Sequence, residues 1–237
     1  MTAFIAAAYE DRIELLTDGA TVRDDGTIAI LETKGWRSPT VPLAFAGRGN
    51  VGALMHIGAI LLKLSDCASV NETLEAFTDE LADRLPRLRG AEIDGVVCAI
   101  SETAGPLIFY FTTSDTVPGA EPFVLYETMP IHGAGSEPPA DALAACGFPG
   151  RLAAEPLSAC GVDLFEIMRR HKMRHLSAGG HLVYGIGGHV DLTTVTADGC
   201  TTTRLHEWPE DVVGATIRPS LVTHDDGSTF DDGSGYE

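Results

Sequence analysis

Residues 2–36, TAFIAAAYEDRIELLTDGATVRDDGTIAILETKGW, decide how the rest of the chain is interpreted. Small and apolar side chains run over residues 3–9, stop at the polar Glu10-Asp11 turn and resume over 12–17, which predicts a strand and its hairpin partner. Asp25-Gly26 suits a type I′ turn, whose central residues take positive φ, so residues 20–23 and 27–33 form a second predicted hairpin. Pro39 and Pro42 interrupt this pattern before a short apolar strand over 43–46, which the turn Gly47-Arg48-Gly49 closes.

The text then turns helical. Val51, Leu54, Ile57, Leu61 and Leu64 recur at spacings of three or four, predicting a helix over 51–64. Ser69 and Glu72 form a capping box that opens a second helix with the stripe Leu74, Phe77, Leu81 and Leu85. Strands follow at 96–100, 107–112 and 122–126, helices at 139–146 and 163–176, and a last hairpin at 189–196 and 201–206 across Asp198-Gly199. Runs of strands alternating with runs of helices predict a layered α+β fold with antiparallel sheets rather than a doubly wound parallel one. The final residues are rich in Asp, Gly and Ser with little to bury, so the chain divides into a domain over 1–218 and an acidic, disordered tail over 219–237.

At 237 residues with 44% hydrophobic side chains, the chain can bury a full core. Its formal charge of −18 repels phosphate backbones and anionic lipid, so neither nucleic acid nor a membrane surface is an expected partner. The densest basic run, Arg169, Arg170, His171, Lys172, Arg174 and His175, is expected as one solvated face of a helix. Five cysteines lie far apart without a CxxC pair, the pattern of reduced thiols in a reducing compartment, and the first residues lack the charged and apolar regions of a secretory signal. A cytoplasmic protein is expected.

The residues with most chemistry stand first. If Met1 is removed, Thr2 carries a hydroxyl and an α-amine on one residue; that amine, with a pKa of about 7.7 to 8, can accept the hydroxyl proton through a water. A nearby ammonium lowers the amine pKa further, and a carboxylate is needed to hold the ammonium. Lys34 and Asp18 suit these two roles.

Thr2, Asp18 in LLTDGAT, Lys34 in ETKGW, and Ala46-Gly47 between a strand and a helix resemble, in order and spacing, the N-terminal-threonine hydrolases: the proteasome β subunits and the bacterial proteasome-like peptidase. HVDLTTVTADG resembles that family's late strand and turn, so the likeness spans about residues 2–210. The resemblance implies a four-layer αββα sandwich of two antiparallel sheets, a peptidase without cofactor or metal, a ring or other homo-oligomer, and an unfoldase or other assembly partner. Helix 51–64 would lie near a contact between copies, and association would strengthen as salt screens their repulsion. By position, Thr2 would be the nucleophile, Lys34 would tune its amine, Asp18 would orient Lys34, and the Gly47 N–H would stabilise the oxyanion.

Two departures qualify it. Gly133-Ala134-Gly135 stands where the family has Gly-Ser-Gly, with Ser136 displaced. The family's supporting Asp and Ser precede a Gly-Gly pair. Taking Gly179-Gly180 puts His175 and Ala178 there, and taking Gly187-Gly188 puts Val183 and Ile186. The alternative is therefore a non-catalytic subunit of the same fold in a larger, phage-like assembly, and a third reading is an unrelated acidic α+β binding protein. Weaker signals are His171 and His175 as metal ligands with His181 or His189, Gly185-Ile186-Gly187-Gly188 as a phosphate loop, the Asn71-Glu72-Thr73 sequon and Cys67 as a nucleophile. Each is better explained as a basic helix face, a turn, a helix start and a buried thiol.

Overall fold

In a computed structural model of the protein, residues 3–66, 69–83, 90–174 and 181–219 are described. Both N-terminal hairpins form. Strands β1 (Phe4–Ala8) and β2 (Arg12–Asp18) pair antiparallel with Phe4 opposite Thr17, and β3 (Ala20–Val22) pairs with β4 (Ile28–Leu31). A two-residue β5 (Trp36–Arg37) precedes β6 (Leu43–Gly49), which continues through the expected turn and carries Gly47 as a strand residue opposite Gly95. The turn is overridden by pairing with the next long strand.

Helices α1 (Val51–Ser65) and α2 (Val70–Asp83) follow their apolar periodicity closely. Asn50 caps α1 by accepting the Ala53 N–H at 3.0 Å, satisfying one of the orphan donors of the first turn. Strands β7 (Ile93–Ser101) and β8 (Gly105–Thr112) form the expected hairpin. The strand expected at 122–126 shrinks to β9 (Tyr126–Glu127), and β10 (Ile131–Ala134) appears where no strand was foreseen.

Short helices α3 (Ala140–Ala145) and α4 (Gly150–Ala154) lead to α5 (Leu157–Arg169). This last helix corrects the expectation of 163–176. Its start is fixed from a distance: the buried Glu14 carboxylate accepts the Ser158 N–H at 2.8 Å and the Ser158 hydroxyl at 3.1 Å, placing an anion at the helix N-terminus. Its end at Arg169 means that His171 lies beyond the helix, so the expected basic face does not form. The chain continues into β11 (Met173–Arg174), paired with β12 (Leu182–Val183), and then β13 (His189–Thr196) and β14 (Gly199–Glu207).

The fold is α+β with antiparallel sheets. One five-stranded sheet has the order β10-β1-β2-β13-β14 and the other β5-β6-β7-β8-β9. Successive residues of β2 face different cores: Ile13 and Leu15 join a cluster with Ala44, Val96 and Cys98 of the second sheet, whereas Leu16 packs with Leu164, Phe165 and Met168 of α5. A strand buried on both faces shows no apolar–polar alternation, which is why β2 keeps Glu14, Thr17 and Asp18 inside. Helices α1 and α2 pack through Leu54, Ile57, Leu74 and Phe77 against Phe45, Val97 and Phe111 of the second sheet.

No helix among the described residues is long and apolar enough to cross a membrane. The four described cysteines, Cys98, Cys146, Cys160 and Cys200, are all free thiols. Thr2, Cys67, Leu85, His175, Ala178, Gly179-Gly180 and the tail from residue 220 lie outside the described residues.

Candidate functional site

Strand β1 is interior to its sheet, so its start is held between β2 and β10. Register sets Ala3 beside Asp18: the Asp18 N–H donates to the Ala3 carbonyl at 3.3 Å, and the Ala3 N–H donates to Asp18 Oδ1 at 2.9 Å. The same Oδ1 accepts from Lys34 Nζ at 2.9 Å, and Lys34 also donates to the Ala20 carbonyl at 2.5 Å. Asp18 Oδ2 accepts from the N–H groups of Ala20 at 3.1 Å and Gly187 at 3.3 Å. A fully buried carboxylate thus gathers three backbone donors and one ammonium, the kind of saturation that a buried charge requires.

Lys34 is itself buried. Burial pushes its pKa below the ordinary value of 10.5, and the Asp18 charge and hydrogen bond work in the opposite direction. The segment that delivers Lys34 is anchored one residue earlier, where the Thr33 hydroxyl donates to Asp191 Oδ2 at 2.7 Å. Burial opposes ionisation of Asp191, but hydrogen bonds from His189, Arg204 and Thr33 prevail and hold its carboxyl well below the usual range. His189, proposed as a metal ligand, instead lies 3.2 Å from Asp191 and 3.0 Å from Arg204. Among the described residues no three His, Cys, Asp or Glu side chains converge in a manner suited to a metal ion.

Asp18 and Lys34 therefore come together as expected, at the start of β1. Gly47 sits in the other sheet, where a Cβ would meet Leu54 Cδ2 at 2.5 Å and the Asp94 carbonyl at 2.8 Å, so only glycine fits that strand position. The Gly187-Gly188 pair reaches Asp18 through the Gly187 N–H, and the Gly179-Gly180 pair lies outside the described residues. Four and one residues before Gly187 stand Val183, in β12, and Ile186, so the carboxylate and hydroxyl positions counted from Gly187-Gly188 hold apolar side chains. Ala134 stands opposite Phe4 in β10, and the displaced Ser136 is turned to the Met168 carbonyl at the end of α5, 2.5 Å away. The Gly187 N–H was missed as a donor because backbone groups carry no sequence signature.

No protein-family model and no curated protein matches the chain. Solved structures do. Anbu (ancestral beta-subunit) from Yersinia bercovieri superposes with a TM-score of 0.60 at 13% identity, covering 88% of each chain. The Anbu (Gly-1) mutant from Hyphomicrobium sp. strain MC1 gives 0.62 at 14% identity, covering 89% of this chain and 90% of that one. The fold is thus proteasome-like, at a distance. This corrects the resemblance drawn from Thr2, Asp18 and Lys34: these two structures are Anbu proteins, and identities this low establish a shared fold, not membership of the threonine-hydrolase family.

Proposed function

We propose that the chain is an amide hydrolase whose nucleophile is the hydroxyl of Thr2 once Met1 is removed. The observation that supports this reading is the buried Asp18 carboxylate, which binds the N–H of Ala3, the residue next to Thr2, and the Lys34 ammonium through one oxygen. Thr2 Oγ would attack a peptide carbonyl, its proton passing through a water to the free α-amine and then to the leaving amine as the C–N bond breaks. Water would hydrolyse the resulting ester and release Thr2. Lys34 would lower the pKa of the α-amine, Asp18 would fix Lys34, and the Gly47 N–H would take the developing oxyanion.

The same reading includes a four-layer αββα arrangement of the two sheets with helices outside, a domain spanning 1–218 with the tail beyond it, and assembly with copies of itself, with an unfoldase or other assembly protein as partner. The free thiols suit a reducing, cytoplasmic setting.

A second reading, a non-catalytic subunit kept for assembly, is favoured by Ala134 and by the apolar Val183 and Ile186 where supporting polar groups were expected. Intact-mass measurement with a peptide epoxyketone, which captures a hydroxyl and a free amine together, separates the two. Loss of one Met and a single adduct that Thr2→Ala abolishes supports the hydrolase. Retention of Met1, or no adduct on a chain that has lost it, favours the structural subunit.

A further inference from the structure

We propose that the buried pair Arg169–Asp211 is a positioning device for Asp18, acting through the Gly187-Gly188 segment; the proposal deepens the reading of Asp18 and Lys34 given above. Arg169, the last residue of α5, is only 1% exposed. Its two terminal nitrogens grip Asp211 at 2.6 and 2.8 Å, and Nη1 also donates to the Ile186 carbonyl at 2.9 Å. The guanidinium carbon lies 4.5 Å from the centre of the Trp208 ring, and the indole N–H is tied to Glu166 of the same helix at 2.6 Å. A planar cation held by a bidentate partner, a carbonyl and an aromatic face has little freedom left.

This rigid unit holds both ends of the segment. Asp211 Oδ2 accepts the Gly188 N–H at 2.6 Å, while Arg169 holds the carbonyl of Ile186. Gly187, between them, lies so close that a Cβ would meet Asp211 Oδ2 at 2.4 Å and Arg169 Nη1 at 2.7 Å. With both neighbours fixed, the Gly187 N–H points to Asp18 Oδ2, and its carbonyl accepts at 3.0 Å the N–H of Gly19, the residue after Asp18, which also donates to the His189 carbonyl at 2.9 Å. The end of a helix is thereby connected to the carboxylate that binds Lys34 through two backbone contacts and no other side chain.

Site-resolved amide hydrogen exchange of the full chain tests this without any substrate. In Asp211→Asn, exchange at Gly187, which does not bond Asp211, should accelerate on the order of 10-fold or more, and at Gly19, which keeps the His189 carbonyl, by less, while Val97 and Cys98 in β7 stay within about 2-fold. Arg169→Lys, which keeps the charge but loses the fork, should give a smaller change at the same amides. Unchanged exchange at Gly187 and Gly19 overturns the proposal; so does equal acceleration everywhere, or failure of both variants to fold, since the pair would then support the fold at large. Loosening of Gly187 in a protein whose Thr2 never reacts with the epoxyketone upholds the positioning and defeats the hydrolase reading instead.

Discussion

Two buried ion pairs flank one glycine segment, and they differ in kind. Lys34–Asp18 joins a compact ammonium to a carboxylate that also serves three backbone N–H groups. Arg169–Asp211 joins a planar fork to a bidentate acceptor beneath an aromatic ring. A buried lysine shifts its pKa readily, whereas a guanidinium stays charged at any working pH. The first pair is therefore suited to tuning a neighbouring group and the second to holding a shape.

The largest effect that would sharpen this contrast separates activity from stability. Lys34→Met should lower Thr2 labelling by on the order of 10² to 10⁴, the range of general-base contributions. Its stability cost should stay near 1 to 3 kcal/mol, because Asp18 keeps the N–H groups of Ala3, Ala20 and Gly187. Arg169→Met leaves Asp211 with the Gly188 N–H and should cost about 3 to 5 kcal/mol. At about 2 to 4 °C per kcal/mol, the melting temperature should fall by roughly 6 to 20 °C. Equal melting temperatures for the two variants would break the distinction.

A smaller effect appears in pH dependence. The folded state lowers the pKa of Lys34, so between that lowered value and 10.5 the unfolded chain binds more protons than the folded one. Stability contributed by this group therefore rises with pH across that window and is lost as pH falls through it. Urea midpoints from neutral pH to 10.5 should show a rise that Lys34→Met flattens and Trp208→Phe leaves intact. A slope unaffected by Lys34→Met would remove the tunable half of the contrast.

The smallest expected change is in Trp208→Phe itself. A ring remains over Arg169, and the indole hydrogen bond to the partly exposed Glu166 is lost with part of a buried ring, so thermal unfolding should register a loss of about 1 to 2 kcal/mol. A loss as large as that in Arg169→Met would show that the aromatic anchor, rather than the bidentate grip, holds the segment.

Much of the fold was legible where periodicity is local. The paired stripes of α1 and α2 and the hairpins around Asp25-Gly26 and Asp198-Gly199 lie in the positions that their sequence signals indicate. Strands β5 and β10 were not, because such short segments carry no pattern of their own and exist only through their neighbours. Arg169 looked like part of a solvated basic face; its burial depends on Asp211, which stands in an irregular segment without a recognisable motif.

The α+β class and the antiparallel hairpins follow from alternation and turn chemistry, which are properties of nearby residues, whereas the pairing of Asp18 with Lys34 is expected only through the family resemblance, because Lys34 lies in no strand. The contact of Gly187 with Asp18, the two ends of α5 and the role of Arg169 as an anchor rather than a surface charge emerge only from the fold. Each of these depends on a partner far away in the chain: Gly187 on Asp18, Ser158 on Glu14, Arg169 on Asp211. Burial makes such partners obligatory, because a charge or an unpaired N–H removed from water must find its complement wherever the fold brings one.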